Sequence, residues 1–129
     1  MSFKPSARSV TQKLGIEART RLLLLGSPLP DSIKPAGVLV DHDADIVLLV
    51  CADEQDVIDN LETGLVRRLP DGRFWLAYRR GNREFTRTHL SAAVDSLDLD
   101  LTWFRQVSLD GGWSAIWFKR RTEFRKLNH

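Results

Sequence analysis

The 129-residue chain has one cysteine, one methionine, one tyrosine and three histidines, and these scarcities remove several functional classes at once. Cys51 alone cannot form an intramolecular disulfide or support a Cys-rich zinc module, which reads as a protein of a reducing compartment, the cytoplasm. Long hydrophobic runs are also missing. The stretch Leu22 to Leu25 falls far short of the ~20 apolar residues of a membrane span. Met1 to Val10 carries Lys4 and Arg8 with no apolar segment of signal-peptide length behind them. No HExxH, Walker-type loop, nucleophile elbow or CxxC pair occurs, so hydrolase and nucleoside-triphosphatase readings have no support. At a prior of about 150 residues per domain the length allows one domain, and such a domain buries roughly two-thirds of its unfolded surface.

What is present is a globular composition, 43% hydrophobic and 28% charged, with an uneven distribution of charge. Residues 1–64 hold six basic and ten acidic groups, a net −4, whereas residues 65–129 hold thirteen and seven, a net +6. Two oppositely charged surfaces that fold together produce such a split, and so does a face that binds a polyanion.

The pattern of apolar residues predicts an alternating order of strands and helices. A short helix over Ser9–Leu14 stops at Gly15, within an N-terminal extension of residues 1–20. Arg21–Leu25 and Ile46–Cys51 are continuous apolar runs, as expected of strands buried on both faces of a parallel sheet. The 20 residues from Gly26 to Asp45 suffice for one crossover between them. Val38–Val40 reads as a peripheral or antiparallel strand, because Asp41–Asp45 is too short for a parallel crossover. Asp53 caps a helix to about Arg68 with Val57, Ile58, Leu61 and Leu65 inward, and Pro70-Asp71-Gly72 ends that segment. Arg73–Tyr78 is a strand. Thr86 or Thr88 caps a second helix through about Leu97, with Leu90, Ala93, Val94 and Leu97 inward. Leu101–Leu109 and Trp113–Lys119 alternate around Asp110-Gly111-Gly112 as a closing antiparallel hairpin, and residues 119–129 form a basic tail. The expected fold is a single doubly wound, mostly parallel, Rossmann-like α/β domain.

This order, the phrase Leu69-Pro70-Asp71-Gly72-Arg73-Phe74-Trp75-Leu76-Ala77-Tyr78 and the hairpin Val107 to Ala115 together resemble a shortened class I S-adenosylmethionine-dependent methyltransferase. The phrases Lys13-Leu14-Gly15-Ile16, Ala44-Asp45-Ile46-Val47-Leu48-Leu49 and Trp113-Ser114 resemble those of a family of short bacterial proteins of unknown function with that architecture. The resemblance implies a cofactor turn after the first strand, here Gly26-Ser27-Pro28-Leu29-Pro30. It also implies a ribose-holding acid, nominally at Asp41, and an adenine or substrate contact near Asp53. The turn keeps only its first glycine, and prolines 28 and 30 remove two N–H donors while Leu29 adds bulk. A non-catalytic protein with a binding or regulatory role is therefore expected, with a small methyltransferase as the alternative.

Ligands of open α/β sheets bind beyond the carboxyl ends of the strands, which selects Gly26, Ser27 and Pro28, then Cys51, Ala52 and Asp53, then Tyr78, Arg79 and Arg80. Asp53 also reads as a plain helix cap. Tyr78-Arg79-Arg80 offers two forked guanidiniums to an anion, and equally reads as a loop kept soluble by charge. His42 lies between Asp41 and Asp43, but neighbours in an extended turn diverge and no second ligand stands at metal spacing, so a solvated acidic turn is expected. Cys51 reads as apolar filling. Trp75, Trp103, Trp113 and Trp117 share the C-terminal half with Arg79, Arg80, Arg83, Arg87 and Arg105. That mixture suits sheet packing, and it also suits a nucleic-acid or protein partner reached through the basic half. Self-association through the edge of the hairpin is a further expectation.

Overall fold

The computed structural model describes residues 10–30, 33, 36–109 and 111–120. Ser9, Asp110 and the tail beyond Arg120 lie outside the described residues. The elements are α1 (Val10–Leu14), β1 (Arg21–Gly26), β2 (Val38–Leu39), β3 (Ala44–Cys51), α2 (Glu54–Arg67), β4 (Arg68–Arg79), α3 (Arg87–Ser96), β5 (Leu101–Leu109) and β6 (Trp113–Arg120). They form one six-stranded mixed sheet in the order β2-β1-β3-β4-β6-β5. The first four strands in that order are parallel, and β6 runs antiparallel to both β4 and β5. This α/β architecture is consistent with a Rossmann-like fold. Among the described residues no helix is long and apolar enough to cross a membrane.

The central strands are apolar on both sides because both faces are covered. On one face Val47, Leu49, Phe74, Leu76, Ile116 and Phe118 meet Val57, Leu61 and Leu65 of α2 and Leu90, Ala93 and Val94 of α3. Burying each of the three α2 side chains contributes about 1.5–3 kcal/mol. Gly64 belongs to the same contact, since a Cβ there would stand 2.7 Å from the Phe74 ring. On the other face Leu22, Ile46, Leu48, Val50, Trp75 and Ala77 pack with Leu14, Ile16 and Ile33. Trp75 donates its Nε1–H to the Leu14 carbonyl at 3.1 Å, and Lys13 donates to the Ser108 carbonyl at 2.7 Å, so α1 is fastened across the sheet.

Four details depart from the sequence expectation. The winding is uneven: both longer helices lie on one face, and the second face is covered by α1 together with Ile16, Leu29 and Ile33. Among the described residues the segment between β1 and β3 contains β2 and no helix. Second, Val38–Leu39 is an edge strand as expected, but parallel to β1 (Arg21↔Val38, Leu22↔Leu39). A crossover helix is unnecessary because β2 stops beside the entrance of β1. The chain then has only two strand spacings to cross, roughly 10 Å, within reach of the five Cα steps from Leu39 to Ala44. Third, Pro70-Asp71-Gly72 is not a separate turn: β4 begins directly at the end of α2, and the extra residues bulge between the pairs Ala44↔Arg68 and Ile46↔Arg73. Arg68 donates to the Gly72 carbonyl across the bulge at 2.8 Å. Fourth, Ile58 is exposed rather than inward.

Candidate functional site

The carboxyl ends of β1, β3 and β4 are aligned by register, Gly26 opposite Val50 and Cys51 opposite Tyr78. The sequence-selected residues therefore share one end of the sheet, in two arrangements of different character.

At the end of β1 the polar groups are satisfied internally. Gly26 has φ +85°, and a Cβ on it would stand 2.2 Å from the Val50 carbonyl oxygen. Its smallness is thus required by the approach of β1 to β3. The Ser27 N–H donates to that same carbonyl at 2.9 Å. The Ser27 hydroxyl and the Ala52 N–H both donate to Asp56 Oδ2, each at 2.7 Å. Asp53 caps α2, accepting from the Asp56 N–H at 3.1 Å. Pro28 is exposed, Leu29 packs on the apolar cluster containing Leu22 and Ile33, and the Ile33 N–H closes the loop onto the Pro30 carbonyl at 2.9 Å. These residues do not fit the methionine part of S-adenosylmethionine. The Ser27 and Ala52 donors face Asp56, the prolines supply no N–H, and Leu29 turns onto the core. The nominal ribose acid, Asp41, stands beyond β2 at the opposite end of the sheet.

Asp56 was not among the residues singled out from the sequence. Its signal was the Asp53-x-x-Asp56 spacing, which places a second acid at the third helical position, where it reaches back over the helix start. Cys51 is buried beside it, and burial first, then Asp56 and Asp53, pushes the thiol far above its ordinary range. A thiol held in its protonated form is a packing group.

At the end of β4 the surface opens into a hollow of about 610 Å³ lined by Tyr78, Arg79, Arg80 and Arg83, with Thr86, Arg87 and Thr88 at the start of α3. Thr86 caps that helix: its Oγ1 accepts from the His89 N–H at 3.3 Å while His89 Nδ1 accepts from the Thr86 N–H at 3.0 Å. The cap excludes the Thr88 alternative and explains His89. Tyr78 is buried, with its hydroxyl accepting from Gln106 Nε2 at 3.1 Å, and Gln106 Oε1 in turn accepts from Arg87 at 3.3 Å. Arg80 is a brace to β6, donating to the Trp113 carbonyl and, at 3.2 Å, to the buried Ser114 hydroxyl. The guanidiniums of Arg79 and Arg83 have no hydrogen-bond or ion-pair partner among the described residues. Two open guanidiniums beside two anchored ones, at the positive end of a helix, form an environment for an anion.

The acidic turn holds a further correction. His42 does not diverge from its neighbours: Nδ1 meets the Asp41 carboxylate and Nε2 lies 3.7 Å from Asp43 Oδ2. The left-handed backbone of Asp43, φ +51°, folds the turn back on itself. The two carboxylates raise the His42 pKa, with the Asp41 hydrogen bond the larger cause. All three side chains are solvated, as expected, and among the described residues no cluster of three or more His, Cys, Asp or Glu could hold a metal. Of the tryptophans, Trp75 is core, Trp113 and Trp117 are half-buried, and Trp103 is exposed.

A scan of protein-family models and a search of curated proteins find no match to the chain.

Proposed function

We propose that the chain is a shortened, methyltransferase-like protein that works by binding an anionic ligand, without methyl transfer, in the arginine-lined hollow at the carboxyl end of β4. The observation that carries this reading is the convergence of Arg79, Arg80, Arg83 and Arg87 with the capped start of α3 on one cavity. The contrast with the end of β1 supports it: there Asp56 holds Ser27 and Ala52, and Leu29 lies on the core. In the hollow Arg80 and Arg87, held by Ser114 and Gln106, fix the geometry, and Arg79 and Arg83 close on the ligand's oxygens. A multiply charged oxyanion such as a pyrophosphate matches this number of donors.

Isothermal titration calorimetry with inorganic pyrophosphate, and separately with S-adenosylmethionine, tests the proposal. Pyrophosphate binding that falls roughly tenfold or more in Arg79→Ala/Arg83→Ala is expected, since hydrogen bonds to charged groups contribute about 1.5–3 kcal/mol each. Micromolar binding of S-adenosylmethionine followed by methyl transfer to a cellular substrate would restore the methyltransferase alternative, and pyrophosphate binding indifferent to both arginines would remove the hollow from consideration.

A further inference from the structure

We infer that the face of the β5–β6 hairpin turned away from α2 and α3 is a binding surface for single-stranded nucleic acid. Its foundation is a line of rings rising from the core to the surface. Trp75, buried and hydrogen-bonded to Leu14, stands with its ring centroid 5.6 Å from that of half-buried Trp117, and Trp117 meets Phe104 edge-on at 4.8 Å and 76°. Phe104 reaches this face through a bulge. It is the extra residue between the pairs Trp103↔Phe118 and Arg105↔Trp117, and it is 40% exposed.

Cations stand over these same rings. The Arg73 guanidinium lies 4.5 Å from the Trp117 centroid, Lys119 Nζ lies 4.0 Å from that of Phe104 and 4.7 Å from that of Trp117, and Arg105 lies 5.9 Å from Phe104. Gly15 is part of the arrangement, because a Cβ there would fall on the Arg73 guanidinium. Neither Leu101–Leu109 nor Trp113–Arg120 contains an aspartate or glutamate, so the charged side chains that the two strands contribute are all basic. Rings that position cations, beside an exposed ring, suit a partner carrying regular phosphates and unpaired planar bases. A duplex offers the phosphates but keeps its base faces stacked, which is why the partner is single-stranded.

The surface and the hollow are separate. Trp117 pairs with Trp75 toward the amino end of β4, whereas Trp113 pairs with Arg79 at its carboxyl end. Arg79→Ala/Arg83→Ala is therefore expected to leave strand binding unchanged.

Fluorescence anisotropy with a labelled oligodeoxythymidine of about 16 nucleotides tests the inference. The expected result is binding that weakens steeply as salt is raised, because phosphate contacts release counterions. Phe104→Ala should weaken it roughly tenfold or more through lost stacking, and Arg105→Glu/Lys119→Glu should weaken it further and flatten the salt dependence. Thermal melts establish that each variant is folded, and Arg105→Ala replaces the double reversal if that protein does not fold. The inference is overturned if no binding occurs at low salt, if duplex DNA binds as tightly as the single strand, or if inorganic polyphosphate binds the Arg79→Ala/Arg83→Ala protein as tightly as the single strand does. It is also overturned if folded Phe104→Ala and the charge variants bind like the parent protein, or if Arg79→Ala/Arg83→Ala abolishes binding.

Discussion

Replacing Gly26 with alanine separates two reasons for a glycine at the end of a first strand, the approach of a ligand and the approach of the neighbouring backbone. Gly26 has φ +85°, where an L-residue is strained by about 1–2 kcal/mol. The added methyl would also stand 2.2 Å from the Val50 carbonyl oxygen and 2.8 Å from Leu49 Cδ1. Since β3 is held between β1 and β4, it cannot retreat without disturbing both ladders, and overpacking of this kind costs about 1–3 kcal/mol. The expected loss for Gly26→Ala is thus roughly 2–5 kcal/mol. Gly81 is the internal control: its φ is +79°, but nothing lies within 4 Å of the point a methyl there would occupy, so Gly81→Ala should lose only the strain of about 1–2 kcal/mol. In urea unfolding, with a slope of about 1–3 kcal/mol/M, the two variants should differ in midpoint by about 1 M, Gly26→Ala being the weaker. Equal midpoints would refute the backbone explanation and return Gly26 to the list of residues whose smallness has no structural cause.

Other consequences follow from the same end of the sheet and from its entrance. Asp56→Ala removes the acceptor shared by the Ser27 hydroxyl and the Ala52 N–H, and should destabilise the fold by about 1–3 kcal/mol. A double-mutant cycle with Ser27→Ala should show coupling, and strict additivity of the two losses would count against the bond. Cys51, with its pKa raised chiefly by burial, should resist iodoacetamide in the native protein at pH 8 and react at the unfolding rate in denaturant; rapid native labelling would contradict its placement. Asp45 accepts from both the side chain and the backbone N–H of Arg21, which hold its pKa below the usual value. A depressed folded pKa means that this contribution is present above the unfolded carboxylate pKa of about 4 and is lost as pH falls through the folded value. Thermal melts of Asp45→Asn should therefore decline less steeply with acid than those of the parent, by a small margin because the pair is solvent-screened; parallel curves would exclude the contribution.

The parts of the fold that were legible in the sequence are those decided within one element. Leu22–Leu25 and Ile46–Cys51 announce two-sided burial by their lack of polar residues, and Val57, Leu61 and Leu65 recur at the helical period from an aspartate that does cap the helix. The hairpin folds as a hairpin, but the bulge at Phe104 breaks the expected alternation of β5 and puts Trp103 and Arg105, partners of Phe118 and Trp117, on opposite faces. What was not legible depends on partners far along the chain. The direction of Val38–Leu39 is set by its pairing with the first two residues of β1, and the extension of β4 back to Arg68 by the register of Ala44 on β3. The His42 geometry depends on a positive φ at Asp43, which neighbouring residue types do not announce.

The candidate sites divide along the same line. Gly26, Ser27 and Asp53 stand out in sequence because they sit at strand ends, yet each is accounted for by a structural requirement: the approach of the distant Val50 backbone, a hydroxyl donated to the distant Asp56, and a helix cap. Arginines 79, 80, 83 and 87 look alike in sequence, and the fold makes them unlike. Arg80 is tied to Ser114 and Arg87 to Gln106, while Arg79 and Arg83 face the hollow between them. In the proposed anion site the two fixed donors would restrict where an anion sits, and the two unanchored ones would adapt to its oxygens. That division of labour exists only once β6 lies beside β4 and α3 begins at Arg87, so it belongs to the tertiary structure and not to the basic run as it stands in the sequence.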